Sequence, residues 1–331
     1  MEINIILKVI DECLKNNPCK IEIRYNEPMK DHTTFKAGGP ADCLIQYGYG
    51  EGFPAFCCDL LKSAKIKKVP VFILGGGANI VVSDKGIRGI VLDMSAWKDS
   101  AQTFIFNEEI IIFKSGTKID DAVNAAAENA LEGLEFLAGM PGTIGGAVWM
   151  NARCYGSEIS DVLDWVEIIT SGGRAADNSA CAEPGYYVTK MENKNSEGFG
   201  YKQSPFQKMD CIILNAAFKT KKGDKNIIYN SIDKYKNDRK EKGHYLFPSA
   251  GSVFKNSREH GKPAGQIIDE CGLKGLKKGG AQIAAFHGNF IINAENASAS
   301  DIRALTEETA AKVKSATGLI LEPEILFIGD W

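Results

Sequence analysis

Apolar residues recur at helical spacing in some stretches of the chain and at alternating or continuous spacing in others, and the two patterns take turns from the start. Residues 5–16 put Ile5, Val9, Ile10, Cys13 and Leu14 on one helical face ahead of the Asn16-Asn17-Pro18 break. The segment ending in Lys36-Ala37-Gly38-Gly39-Pro40-Ala41 leads to a strand over 43–47. A helical stretch over about 51–66 then runs to the buried strand Val71–Leu74. Ile80–Val82 and 89–94 read as strands with Gly86 at a turn, so a small α/β domain closes near residue 95. A second section opens on the strand Ile110–Lys114. There Thr117 and Asp120 have the spacing of a capping box before an Ala-rich helix over about 119–131. Strands over 164–170 and Cys211–Lys219 follow. A third section holds a charged helix over roughly 228–241, a loop at 248–256, a helix over about 262–271 and a strand over 289–293. Ser298 with Asp301 caps a last helix that ends near Gly318, and 319–328 alternates like a strand returning to the first domain. The expected organisation is α/β (α+β), with sections at 1–95, 96–220 and 221–318 and with 319–331 rejoining the first.

Composition narrows the class. At 331 residues the chain suits two or three packed domains, and 44% hydrophobic with 24% charged residues is ordinary for a globular protein. A net charge of -3 gives no basic field to attract nucleic acid. Residues 1–17 mix Ile and Leu with Glu2, Lys8, Asp11 and Glu12, unlike a signal peptide, and no stretch reaches the ~20 apolar residues of a membrane helix. Nine cysteines with no C-x-x-C pair read as reduced thiols, so a cytoplasmic location is expected. The four histidines, His32, His244, His260 and His287, have no metal-ligand spacing, and no metal is expected.

Four loops carry candidate chemistry. Gly75-Gly76-Gly77-Ala78-Asn79 ends an apolar strand, and its glycines can turn backbone amides toward a pyrophosphate. It is neither a G-x-G-x-x-G fingerprint nor a P-loop, and strand rather than helix follows it, so a Rossmann reading fails; a plain tight turn is the alternative. The second cluster runs Gly139-Met140-Pro141-Gly142-Thr143-Ile144-Gly145-Gly146-Ala147, dense enough either for a nucleotide contact or for close helix-on-strand packing. Pro248-Ser249-Ala250-Gly251-Ser252-Val253-Phe254-Lys255-Asn256 is no hydrolase elbow. Ser252 has no neighbouring base along the chain, so it reads either as a proton donor beside a polar ligand or as a turn serine. Glu322-Pro323-Glu324 sits within an apolar strand pattern, where an inward acid needs a partner or a task and an outward one needs neither.

Taken in order, these loops resemble the UDP-N-acetylenolpyruvoylglucosamine reductase family. The resemblance rests on residues 34–41, 74–79, 133–147, 199–206, 248–256, 272–275, 287–293 and 321–329, nearly the whole chain. The uninterrupted Gly145-Gly146-Ala147-Val148-Trp149-Met150-Asn151-Ala152 run is similar to the shorter branch, which lacks an extra substrate-capping loop. The resemblance implies an FAD-binding fold of the vanillyl-alcohol-oxidase (PCMH) type. Two subdomains, 1–95 and 96–220, would clasp non-covalent FAD, and 221–318 would bind substrate. Gly75, Gly76, Gly77, Ala78 and Asn79 would hold the pyrophosphate, and Met140, Pro141, Gly142, Thr143, Gly145, Gly146 and Tyr155 would lie against the flavin.

The implied reaction is ping-pong. NADPH gives up its hydride and leaves, UDP-N-acetylglucosamine enolpyruvate takes the same cleft, and a hydride reaches its methylene carbon. Ser252 then protonates the α-carbon, giving UDP-N-acetylmuramate for peptidoglycan synthesis. Glu324 and Lys202 match positions that bracket the substrate carboxylate, Glu324 acting best as a neutral acid that donates a hydrogen bond. Lys274 and Asn256 match diphosphate and sugar positions, with Lys255 and His287 assisting and Tyr201 near the flavin. A monomer is expected. Two departures stand out. Tyr201-Lys202-Gln203-Ser204 has lysine where the family has a planar arginine, and Arg153 replaces a glycine that lets the chain approach the flavin. They keep open a non-catalytic flavin- or nucleotide-binding relative; a hydroxy-acid or sugar-lactone oxidase of the same fold is the runner-up, against which Ser252, Lys274 and Glu324 at family positions argue.

Overall fold

A computed structural model describes residues 3–49, 52–97, 104–106, 109–171, 186–193 and 196–331. By contacts the chain forms two units, one made of Met1–Tyr25, Cys43–Gly76 and Gly89–Lys236, the other of Asn26–Asp42, Gly77–Arg88 and Asn237–Trp331.

The first unit begins with α1 (Ile3–Asn16), which buries Ile6, Val9, Ile10 and Cys13, a clean i, i+3, i+4, i+7 face. Ile6 is fully buried and the neighbouring Ile5, expected on that face, is 37% exposed. Helix α2 (Phe53–Ile66) starts with Pro54 in its first turn, where the missing amide costs nothing. It ends with Lys68 in the left-handed region and the Val69 amide returning to the Ala64 carbonyl at 2.8 Å. Both helices share a core with the sheet Lys20–Pro28, Pro40–Tyr49, Ile87–Asp93, Val71–Leu74, whose last two strands run parallel. Phe53, Phe56 and Leu60 of α2 are fully buried there, each burial stabilising by about 1.5–3 kcal/mol.

A five-stranded antiparallel sheet forms the rest of this unit, in the order Tyr187–Glu192, Leu163–Thr170, Cys211–Lys219, Ile110–Lys114, Phe104–Phe106. Two helices, α3 (Ile119–Glu128) and α4 (Ile144–Trp149), and the short α5 (Ile159–Val162) pack their apolar residues into the core beside it. The expected Thr117–Asp120 box does not form. Lys118 is the N-cap without a side-chain bond, and the Asp120 carboxylate instead accepts the Gly139 amide at 2.8 Å. A backbone amide of the glycine loop has taken the acid away from its own helix end.

Helix α6 (Lys225–Glu241) leads into the second unit. Its sheet is Ser249–Ser252, Phe290–Asn293, Ala281–Ile283, Lys277–Lys278, antiparallel throughout and packed with α7 (Ala264–Glu270) and α8 (Ala299–Thr317). The Ser298–Asp301 capping box is present and Gly318 closes α8 in the left-handed conformation. The Asp84 carboxylate also accepts the Ala299 and Ser300 amides, at 2.9 Å each. At the C-terminus only Leu326–Ile328 is strand, running parallel to Ile80–Val82. Pro323, which has no amide to donate, meets Phe254 in an isolated bridge before that strand begins. Among the described residues no helix is long and apolar enough to cross a membrane.

Candidate active site

The strand Val71–Leu74 delivers the first glycine loop. A Cβ on Gly75 would come within 2.9 Å of Thr143 Oγ1, and one on Gly76 within 2.6 Å of Gly142 Cα, so the two glycine loops touch backbone to backbone. Gly77 is buried at φ +61°, where a Cβ would strike the His32 carbonyl, and its own carbonyl accepts the Thr34 amide at 3.1 Å. The amides of Gly76, Gly77 and Ala78 donate no hydrogen bond to another described residue. A buried, unsatisfied amide is costly, and an anionic oxygen would relieve it, so the loop fits a pyrophosphate. Asn79 is engaged otherwise: its Nδ2 donates to the Glu324 carbonyl at 3.0 Å and its carbonyl accepts the Leu326 amide at 3.0 Å.

In the second loop Gly139 and Gly142 take φ +73° and +116° around Met140 and Pro141. Thr143 caps α4, its Oγ1 accepting the Gly146 amide at 3.4 Å. The Ile144 and Gly145 amides donate to the Thr117 and Ser115 carbonyls at 2.9 and 2.8 Å, so they are not open to a ligand. A Cβ on Gly145 would meet Ser115 Cβ at 2.7 Å, whereas one on Gly146 would meet nothing nearer than Thr143 Oγ1 at 3.6 Å. Gly145 thus serves close packing, and Gly146 is the glycine that leaves its face open. Tyr155 stands at the tip of a tight hairpin with φ +52°. Its ring stacks on Tyr235 of α6 at 4.2 Å, and its hydroxyl donates to the Tyr235 carbonyl at 3.2 Å.

Lys202 sits at the corner of a turn closed by mutual Gly200–Gln203 backbone bonds of 3.0 Å, and it adopts φ +57°. Gln207 Nε2 donates to the Lys202 carbonyl at 3.1 Å and to the Trp149 carbonyl at 3.0 Å. Asn151, fully buried, donates from Nδ2 to the Gly200 carbonyl at 2.9 Å and to Glu158 at 3.1 Å. Arg153 lies over the Tyr201 ring, 5.8 Å from its centroid, with a nitrogen 3.9 Å from Glu158. Its guanidinium is therefore turned toward the Tyr201–Lys202 turn.

Ser252 and Glu324 come together in the second unit. Gly251 at φ +73° bulges the strand Ser249–Ser252, and Ser252 pairs with Phe290. Asn289, buried, locks the next residues through its Oδ1 to the Phe254 amide (2.9 Å) and its Nδ2 to the Phe254 carbonyl (2.8 Å). The Glu324 amide donates to the Val253 carbonyl at 2.7 Å, setting that acid's backbone beside the residue after Ser252. Glu322 is exposed and pairs with Lys255 Nζ at 2.5 Å, so the two acids of the Glu-Pro-Glu run have different surroundings. Asn256 Oδ1 accepts the Ala264 amide at 2.8 Å and so helps start α7, while Lys274 pairs with Asp269 at 2.6 Å.

His287 packs on Phe290 with ring centroids 4.3 Å apart, and its Nδ1 accepts the Asn289 amide at 3.2 Å. Burial first, then the charges of Lys274 and Lys242, hold its pKa below the ordinary imidazole value. His244 meets the edge of the same phenyl ring at 4.7 Å, and burial with Arg239, His287 and Lys242 pushes it down to about 4. Both imidazoles feel Lys242, which pairs with Asp238 at 2.8 Å, and His287 also feels Lys274, which pairs with Asp269. Sequence reasoning missed His244 and Gln207, and for Asn151 it expected a place against the flavin without the hold on Gly200. None sits in a spacing that suggests chemistry, and the partners of Asn151 and Gln207 lie up to 49 and 58 residues away.

A model of an FAD-binding domain matches residues 56–179, and with the α/β architecture and the orphaned glycine-loop amides it defines the class as an FAD-binding oxidoreductase. A second model, described as the UDP-N-acetylenolpyruvoylglucosamine reductase C-terminal domain, matches residues 242–328. A UDP-N-acetylenolpyruvoylglucosamine reductase from Borrelia garinii is 42% identical over 312 residues, covering 94% of this chain and 95% of the relative. One from Treponema denticola is 40% identical, with 96% and 98% covered. The crystal structure of the Thermus caldophilus reductase superposes with a TM-score of 0.71 at 30% identity, over 94% of this chain and 100% of that one. The chain belongs to the UDP-N-acetylenolpyruvoylglucosamine reductase family.

Proposed function

We propose that the protein reduces UDP-N-acetylglucosamine enolpyruvate to UDP-N-acetylmuramate with electrons from NADPH, as a cytoplasmic monomer making a peptidoglycan precursor. The observation that carries this reading is the near-full-length similarity to reductases of that name, joined to the Glu324 backbone bonding to Val253, the residue after Ser252. Residues 1–95 and 96–220 serve FAD and residues 221–318 the sugar nucleotide. Gly76, Gly77 and Ala78 offer amides to the pyrophosphate, with Gly75 and Asn79 shaping the loop. Met140, Pro141, Gly142 and Thr143 present the second loop, Gly145 packs behind it and Gly146 keeps its face clear. Tyr155 contributes through the hairpin that it anchors on Tyr235.

Bound FAD would supply the hydride. This chain's residues do the rest. Lys202 and Glu324 hold the enolpyruvyl carboxylate as its charge grows, each interaction strengthening toward the transition state. The Ser252 hydroxyl donates its proton to the α-carbon, which a serine can do only toward a strongly basic carbon held in place. Lys274, Lys255, Asn256 and His287 bind the diphosphate and sugar, with the Lys255–Glu322 and Lys274–Asp269 pairs exchanging partners on binding. Tyr201 lines the approach under Arg153. The test is direct: the FAD-loaded protein, NADPH and the enolpyruvyl sugar nucleotide should yield a product two hydrogens heavier by mass spectrometry, and an unchanged substrate would refute the assignment.

A further inference from the structure

Lysine is a poor residue for the place that Lys202 occupies. At φ +57°, its Cβ crowds the following carbonyl, a conformation costing about 1–2 kcal/mol for a non-glycine residue. Turns with this corner ordinarily take glycine or asparagine. Such a residue persists where its surroundings over-determine it. Here the surroundings are two amide side chains. Gln207 spends both N–H groups on carbonyls, one belonging to Lys202 and one to Trp149 at the end of α4. Asn151 holds the other side of the turn through Gly200, and is fixed in turn by the Ser160 amide donating to its Oδ1 at 3.0 Å. Ser204 adds its hydroxyl to the same Trp149 carbonyl at 2.7 Å. The turn is thereby tied to the segment that continues directly from the second glycine loop.

We propose that Gln207 is a positioning residue for Lys202: by bridging the Lys202 and Trp149 carbonyls it fixes where the lysine stem starts, and so where the ammonium meets the substrate carboxylate. A neutral carboxamide is suited to the task, since it offers two donors to two acceptors and a carboxylate would repel both. The need follows from the lysine itself. An ammonium on a four-carbon stem has no planar fork to align it on a carboxylate, so its precision depends on a rigid anchor. This rests on the reading of Lys202 given above, and the two can fail separately.

The test is a double-mutant cycle on the FAD-loaded enzyme, following flavin reduction by NADPH and reoxidation by the enolpyruvyl substrate separately in a stopped-flow instrument. Gln207→Met should slow reoxidation by about 10–100-fold, mostly in the maximal rate rather than in KM, with reduction within about twofold. In the Lys202→Met background the same change should cost no more than about twofold further. An equal loss in both backgrounds would make Gln207 merely structural and overturn the proposal, as would a single variant with normal reoxidation. A Lys202→Met enzyme at full speed would instead remove the reading on which it rests. Thermal unfolding of the apoproteins checks folding. Should Gln207→Met not fold, Gln207→Asn, which keeps the donors but falls one methylene short, enters the same cycle with the same outcomes.

Discussion

Replacing Lys202 by glycine separates what the position costs the fold from what it gives the reaction. Glycine removes the left-handed clash, worth about 1–2 kcal/mol, but restores about 0.5–1 kcal/mol of unfolded-chain freedom. Alanine removes the ammonium and keeps the Cβ at φ +57°. The glycine variant is therefore expected to stand about 0.5–1 kcal/mol above the alanine variant, or about 1–4 °C in the unfolding of a unit this size. Calorimetry of the two apoproteins, side by side, measures it. Both variants lack the cation, so both should lose enolpyruvyl reduction to the same degree. An alanine variant as stable as the glycine one would refute the strain argument. A glycine variant with normal turnover would refute the catalytic reason for tolerating the strain.

Ser252→Ala should leave flavin reduction by NADPH nearly intact and slow substrate-dependent reoxidation by ~10²–10⁴-fold, as a lost general acid does; equal losses in both steps would make Ser252 structural. Gly76→Ala sets a Cβ 2.6 Å from Gly142 Cα, backbone against backbone, so FAD affinity measured by fluorescence titration should fall more than about tenfold while α2 and its sheet stay folded. Because His244 has its pKa pushed down to about 4, the folded state binds fewer protons than the unfolded chain. The stability it contributes is complete above pH 6.5 and is lost as pH falls from there toward 4. The loss expected in denaturant titrations is about 1–2 kcal/mol after solvent screening, and His244→Asn should flatten that slope.

The strands Val71–Leu74, Ile80–Val82 and Ile110–Lys114 were legible because short apolar runs between glycine and proline signals leave few other structures open. The phase of α1 was not, since Ile5 and Ile6 are adjacent and identical in chemistry, and only packing chooses Ile6. The Ser298 box was readable because both partners lie within one turn. The Thr117 box was not, because Gly139, far along the chain, competes for Asp120. For the glycine loops the residues allowed either a ligand nest or crowding; in the structure Gly75 and Gly145 are crowded, and the amide of buried Gly77 donates to no other described residue. The family pattern brought Ser252, Glu324 and Lys202 forward as candidates. It set Asn151 against the flavin and carried no sign of Gln207, nor of the distant carbonyls that the folded chain brings to both.

The most direct test of the central claim is the visible spectrum of the FAD-loaded protein through one full cycle without oxygen. NADPH should bleach the flavin band, and UDP-N-acetylglucosamine enolpyruvate, added after the nucleotide is removed, should restore it in a single stoichiometric step. A protein that binds no flavin, or a reduced flavin that the enolpyruvyl substrate leaves bleached, would contradict the account.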